Sequence, residues 1–181
     1  MTYLVLMSMN EIDAFKYGYG KDNGKYDVYK YDDIAATVTV LTQNHELNFT
    51  RYIKYDNDYL KFMKEFNNAK HDAENGVDYY KISNLDNMNK IQVTCLPWIK
   101  FNNFKDASNN LEKSSKPKVC WGKYYKMNDK YLIDFSILVN HAFQDEYHIG
   151  LLINTLQENI LQIDEILYEE GKTYVKRKKK Y

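Results

Sequence analysis

The sequence predicts a single α/β domain in which helices cover a β-sheet. Three observations carry that expectation. At 181 residues the chain is long enough for one good-sized core and too short for two comfortable domains. Several short segments rich in β-branched and aromatic residues alternate in hydrophobicity, as strands do. Between and after them, apolar residues recur at spacings of three and four, the mark of helices with one buried face. Residues 1–170 make up the domain, and residues 171–181 are a basic, mobile tail.

Residues 2–13 read as a helix with Leu4, Leu6, Met7 and Ile12 inward. A hairpin follows, with strands near 15–20 and 25–31. Asp22-Asn23-Gly24 supplies the residues that tolerate positive φ in a tight turn. Thr37-Val38-Thr39-Val40-Leu41 is β-branched enough for a further strand. Residues 56–70 then place Tyr59, Leu60, Phe62, Met63 and Phe66 at helical spacing, in a helix that covers the sheet. Residues 71–89 are polar and turn-rich. Ile91 to Leu96 reads as a strand stopped by Pro97.

Residues 106–116 are a polar loop leading into a second hairpin, Lys118–Tyr125 and Tyr131–Asn140, around Met127-Asn128-Asp129-Lys130. Tyr131, Ile133, Phe135, Ile137, Val139 and His141 share one parity, so alternation carries His141 onto the apolar side as the strand ends. From Asp145 to about Ile163, the residues Ile149, Leu152, Ile153, Leu156, Ile160 and Ile163 recur as one face of a helix with an acidic start.

Composition removes several classes of partner. The 25 Lys+Arg balance 25 Asp+Glu, so no global field favours nucleic acid or an anionic membrane. The five charges at residues 176–180 read as a solvated end. The eighteen tyrosines scatter instead of clustering as a stacking platform. Cys95 and Cys120 lie in separate strands without CxxC spacing, which indicates neither a metal site nor a disulfide framework and fits a cytoplasmic location. The apolar start, Tyr3 to Met7, lacks a basic leader and soon meets Glu11 and Asp13, so it reads as neither signal peptide nor membrane span.

Four segments carry a resemblance. Cys95-Leu96-Pro97-Trp98-Ile99-Lys100-Phe101 resembles S-A-L-P-W-V-x-F. Lys116-Pro117-Lys118-Val119-Cys120-Trp121-Gly122-Lys123-Tyr124 resembles A-P-I-x-T-M-A-K-Y. Asn140-His141-Ala142-Phe143-Gln144-Asp145-Glu146-Tyr147-His148 resembles H-H-A-x-x-D-G-F-H, and Ile153-Asn154-Thr155-Leu156-Gln157-Glu158 resembles I-N-x-L-Q-E. In this order and spacing, across most of residues 3–160, they resemble the chloramphenicol acetyltransferase family. H-x-x-x-D alone is a weak signal; the ordered set is a strong one.

That resemblance implies an α/β two-layer sandwich with a mixed β-sheet covered by helices. It implies an O-acetyltransferase that moves acetyl from acetyl-CoA to a hydroxyl of chloramphenicol or a similar small alcohol, without a metal. His141 matches the general base, a role suited to an imidazole near its ordinary pKa. Taken alone it reads as a structural histidine at a strand end. Thr94 matches a serine whose hydroxyl meets the tetrahedral oxyanion, although a strand threonine is ordinarily just a β-former. Asp145 matches an aspartate that fixes the active-site loop by pairing with an arginine, and it also reads as a helix cap. Lys123 and Tyr124 match residues lining the coenzyme A path, where an ammonium meets phosphate and a ring packs on adenine. Gln92 and Cys120 are candidate lining residues. The resemblance further implies a homotrimer with channels between subunits.

The pattern also breaks. Met1 falls at about the family's second helix, so an early edge strand, a helix, the arginine partner of Asp145 and aromatic residues of the acceptor pocket have no counterpart in these residues. Asn140 replaces the first histidine of the motif, Cys120 replaces a threonine that helps hold a water, and Glu146 replaces a glycine whose backbone freedom a charged residue lacks. Cys120 as a nucleophile has no sequence-evident base. A lipoyl-dependent acyltransferase core would share the fold and the H-x-x-x-D logic, but Leu96-Pro97-Trp98 and the absence of lipoyl segments argue against it. With no internal repeat, a hexapeptide β-helix acetyltransferase is disfavoured. The alternative reading is a catalytically silent member that keeps the fold as a ligand-binding or assembly module.

Overall fold

Two kinds of strand pairing build the central sheet, and together they sort every side chain in it onto one of two faces. A computed structural model describes residues 1–22, 25–44, 48–77, 89–104 and 115–163. In chain order it contains α1 (Thr2–Asn10), β1 (Tyr17–Asp22), β2 (Lys25–Lys30), β3 (Ala35–Leu41), β4 (Asn48–Ile53), α2 (Tyr59–Glu74), β5 (Lys90–Cys95), β6 (Lys118–Met127), β7 (Lys130–Leu138) and α3 (Glu146–Leu161). The five-stranded sheet runs β4-β3-β5-β6-β7, and β1 pairs with β2 in a separate hairpin. β3–β5 and β5–β6 are parallel, whereas β3–β4 and β6–β7 are antiparallel, so the sheet is mixed.

The register puts Ile53, Ala36 and Ile91 in one row, and Val38, Val93, Val119 and Ile137 in the next. Trp121 and Phe135 follow. These are the residues that pack with Tyr3, Leu6 and Met9 of α1, Phe62 of α2 and Leu152 and Leu156 of α3 into one hydrophobic core. All three helices therefore cover the same side, giving the α/β two-layer sandwich. The intervening residues form the opposite face, with Tyr52, Thr37, Gln92, Lys118 and Leu138 in one row and Thr94, Cys120 and Ser136 in the next. Among the described residues no helix covers that face.

α1 is buried around nearly its whole circumference, from Thr2 to Met9, as a helix apolar on all sides must be. Ser8 and Asn10 are paired both within the helix and beyond it. Ser8 donates to the Leu4 carbonyl at 2.8 Å and accepts from Asn159 at 3.0 Å. Asn10 accepts from the Ile34 amide at 2.7 Å, which ties the end of α1 to the start of β3. Tyr3 packs against Tyr55, Tyr59 and Phe62 and donates its hydroxyl to the Asn57 carbonyl at 2.9 Å.

Helix α2 begins where Asp58 accepts from the Leu60 and Lys61 amides at 2.8 and 3.1 Å. It ends at Glu74 and is capped at Asn75, with Gly76 beyond at φ +72°, the left-handed position that glycine favours. The β6–β7 turn places Asn128 and Asp129 at φ +47° and +59° between the paired Met127 and Lys130, a two-residue hairpin in the primed class.

Three expectations differ from the structure. Strand β4 was not anticipated; Phe49, Arg51 and Ile53 share its parity, and the buried Arg51 interrupts the apolar alternation. Helix α2 continues to Glu74, into the stretch read as turn-rich. β7 stops at Leu138, and His141 lies in a turn, exposed, so the parity that carries it onto the apolar side does not extend that far. Asn23-Gly24, most of the polar loop at 106–116 and the basic tail fall outside the described residues.

Candidate active site

Strands β5 and β6 bring three of the sequence-selected residues together. Thr94 is the direct partner of Cys120, and Gln92 of Lys118. Because the pairing is parallel and in register, all four side chains stand on the face that the helices leave open. With Phe104, Val119 and Leu138 they line a cleft holding about 300 Å³ of atom-free space, solvent at its mouth included. Cys120 is buried there, whereas Thr94 and Gln92 are half-buried. A threonine hydroxyl can both donate and accept a hydrogen bond.

The segment after β5 forms one wall. The Leu96 amide donates to the Trp121 carbonyl at 2.9 Å, and the Lys123 amide donates to the Ile99 carbonyl at 2.7 Å. This close approach depends on Gly122, where an added Cβ would lie 2.6 Å from the Ile99 carbonyl oxygen. β6 carries one extra residue between Trp121 and Tyr124, a bulge that turns Lys123 and Tyr124 outward at the far end of the sheet. Both are exposed; the Tyr124 ring meets the Tyr131 ring edge-on at 6.1 Å.

His141 stands at the other end. Thr94 lies level with Cys120 and Ser136, while His141 lies beyond Leu138, Val139 and Asn140 in the opposite direction from Lys123. It does not line the Thr94 cleft, and among the described residues no hydrogen bond or ion pair holds its imidazole. A single chain thus assembles Gln92, Thr94 and Cys120 but leaves His141 and the Lys123–Tyr124 pair apart from them.

The turn that carries His141 is nonetheless built firmly. Asn140 accepts from the Ala142 amide at 3.0 Å, Phe143 packs edge-on against Tyr19 at 4.9 Å, and the buried Gln144 donates to the Ala14 carbonyl at 2.8 Å. Asp145 then caps α3, accepting from the His148 amide at 3.2 Å, and its carboxylate lies 2.6 Å from His148 Nδ1. The backbone hydrogen bond from His148 holds the Asp145 carboxyl below its usual value, and the His148 side chain adds to that effect. Sequence reading selected Asp145 but missed His148, although a residue three positions after a helix cap is placed to bring its side chain back beside that cap. Glu146 occupies the first turn of α3 without a positive φ, so this position demands no glycine backbone. Burial pushes the Cys95 thiol up, away from a reactive thiolate.

The family model described as chloramphenicol acetyltransferase matches residues 1–157. The chain belongs to the chloramphenicol acetyltransferase family. It is thereby grouped with acyltransferase enzymes. The chloramphenicol acetyltransferase of Staphylococcus intermedius is 24% identical over 165 residues, which cover 91% of this chain and 75% of that protein. Chloramphenicol acetyltransferase 3 of Escherichia coli is 24% identical over 158 residues, covering 87% and 72%. A solved chloramphenicol acetyltransferase superposes with a TM-score of 0.71 at 24% identity, over 86% of this chain and 73% of the other. The cubic core of a pyruvate dehydrogenase multienzyme complex superposes at 0.61 and 14% identity, over 91% of this chain and 70% of that chain. The shared fold is that of coenzyme A-dependent acyltransferases. Among the described residues no helix is long and apolar enough to cross a membrane, and no group of three or more His, Cys, Asp or Glu is placed to hold a metal ion.

Proposed function

We propose that this chain transfers an acetyl group from acetyl-CoA to a hydroxyl of chloramphenicol or a similar small alcohol. The observation that carries the reading is the open-face cleft, in which Thr94 stands in register with Cys120 and next to Gln92 in a member of this family. Acetyl-CoA is a substrate here, and no metal takes part.

In this proposal neutral His141 accepts the proton of the alcohol as its oxygen attacks the thioester carbonyl. The tetrahedral intermediate carries one negative oxygen, to which the Thr94 hydroxyl donates; such a donor is worth about 3–4 kcal/mol where it meets developing charge. The intermediate collapses by breaking the carbon–sulfur bond, and the imidazolium returns its proton to the departing thiolate. Lys123 and Tyr124 receive the phosphate and adenine of the coenzyme. Asp145, held by the α3 amides and His148, supports the turn that carries His141 without moving protons.

The distance along the sheet between His141 and Thr94 favours an assembled site. A homotrimer in which the His141 turn of one copy faces the Thr94 cleft of the next would supply the pairing that one chain lacks, and would cover the open face. Mixing His141→Ala protein with Thr94→Val protein, after subunit exchange, tests this. Acetylation well above that of either variant alone supports a site shared between copies. No recovery in proven mixed oligomers rejects it.

A further inference from the structure

The segment that follows β5 is fastened at three points, and only two of them belong to backbone pairing. Leu96 and Ile99 meet β6 through main-chain hydrogen bonds to and from Trp121 and Lys123. The third fastening is a side chain from the neighbouring strand. Asp134 on β7 accepts from the Phe101 amide at 3.2 Å through Oδ2 and from the Tyr125 hydroxyl at 3.2 Å through Oδ1. The Lys100 ammonium lies 3.9 Å from the centroid of the same Tyr125 ring, so a cation steadies the phenol that the carboxylate holds. Phe101 in turn packs against Gly122 and against Phe104, whose ring centroid is 5.8 Å away. Phe104 lines the cleft with Thr94 and Cys120.

We infer that Asp134 is a positioning residue, whose carboxylate sets Phe104 as a wall of the Thr94–Cys120 cleft by holding the Phe101 amide. Asp134 touches none of the cleft itself. It acts through Phe101 and Phe104, and it couples the β6–β7 hairpin to the wall that, among the described residues, comes from outside the sheet. Two neutral donors on one charged acceptor give a latch that an uncharged residue reproduces only in part. Its bearing on acceptor binding rests on the acetyl-transfer reading; its effect on the cleft wall does not.

The test reads the wall through Cys120, which is buried in the cleft. In a Cys95→Ser background, which leaves Cys120 as the remaining thiol, the rate of alkylation by iodoacetamide is measured for the parent, Asp134→Ala, Asp134→Asn, Tyr125→Phe and, as a remote core control, Leu152→Ala. Asp134→Ala is expected to alkylate about tenfold faster, Tyr125→Phe to fall between it and the parent, and Asp134→Asn, which keeps an acceptor, to stay within about threefold of the parent. Equal rates for the parent and a folded Asp134→Ala overturn the inference, and so does the same acceleration in Leu152→Ala. Should Asp134→Ala not fold, Tyr125→Phe decides alone: a rate equal to the parent's overturns the latch. Where the parent acetylates chloramphenicol, Asp134→Ala raises KM for that acceptor more than it lowers kcat, and Asp134→Asn restores it. A parent without acetyl transfer removes the functional reading and leaves the alkylation rates to judge the wall.

Discussion

The carboxylate of Asp145 lies 2.6 Å from Nδ1 of His148 while it caps the helix on which that histidine stands. The Asp145 amide also approaches the same nitrogen, at 3.3 Å. Nδ1 cannot donate and accept at once. The shorter contact, to a charged oxygen, puts the proton on Nδ1, and the amide approach is then a contact without a hydrogen bond. Asp145 is thus held within its own helix by a residue three positions on.

Asp145→Ala removes the cap and the side-chain contact to His148 together, and thermal denaturation is expected to show Tm lowered by about 2–4 °C. His148→Ala leaves the amide bonds in place and lowers it less. The sign of the pH dependence follows from the depressed carboxyl. This part of the stability is complete above the ordinary carboxyl value of 3.8 and is lost as pH falls through the lower folded value. In acid titrations the difference between wild type and Asp145→Ala should therefore begin to shrink only below that ordinary value.

Phe62 is fully buried between Tyr3 of α1 and Phe66 of its own helix. Phe62→Ala is expected to cost about 3–5 kcal/mol, measured by urea unfolding with an unchanged m-value.

Thr94 and Val93 are adjacent in sequence and opposite in role. Val93 is fully buried in the core, and Thr94 faces the open cleft. Thr94→Val keeps the β-branched shape and is expected to leave stability within about 0.5 kcal/mol while lowering kcat by about 200- to 800-fold. Val93→Ala is expected to do the reverse, losing about 1–3 kcal/mol of stability with kcat nearly unchanged at temperatures where it is folded.

Lys123 is exposed within the β6 bulge, and in the proposed reaction its ammonium meets a phosphate of acetyl-CoA. Lys123→Ala is expected to raise KM for acetyl-CoA about fivefold, with less effect at high salt, in initial-rate measurements at two ionic strengths.

The sequence made the core faces legible wherever alternation is undisturbed. Ile91 and Val93, and Ile133 to Ile137, announce their sides plainly, and α3 shows its buried stripe at Leu152 and Leu156. β4 was hidden because Arg51 holds a core-facing position, its guanidinium donating to the carbonyls of Thr50 and Val77 and lying 5.2 Å from the Phe49 ring. Those partners, not the residue type, make its burial tolerable. Alternation also overran at His141, because period-two reasoning contains no signal for where a strand stops, and β7 stops at Leu138. Thr94, Cys120 and the lining candidate Gln92 were legible as single letters, but their common cleft depends on the parallel register of β5 and β6, which no local pattern encodes. The Asp134 latch was not read at all, since its partners Phe101 and Tyr125 lie on segments that only the fold makes neighbours.

The most direct test of the proposed chemistry is chromatographic detection of acetylated chloramphenicol after incubation of the 181-residue protein with acetyl-CoA, beside the His141→Ala variant. Product formed by the protein and lost by at least about 1,000-fold in the variant is the predicted result. No product from a folded, assembled protein, or equal product from His141→Ala, would contradict it.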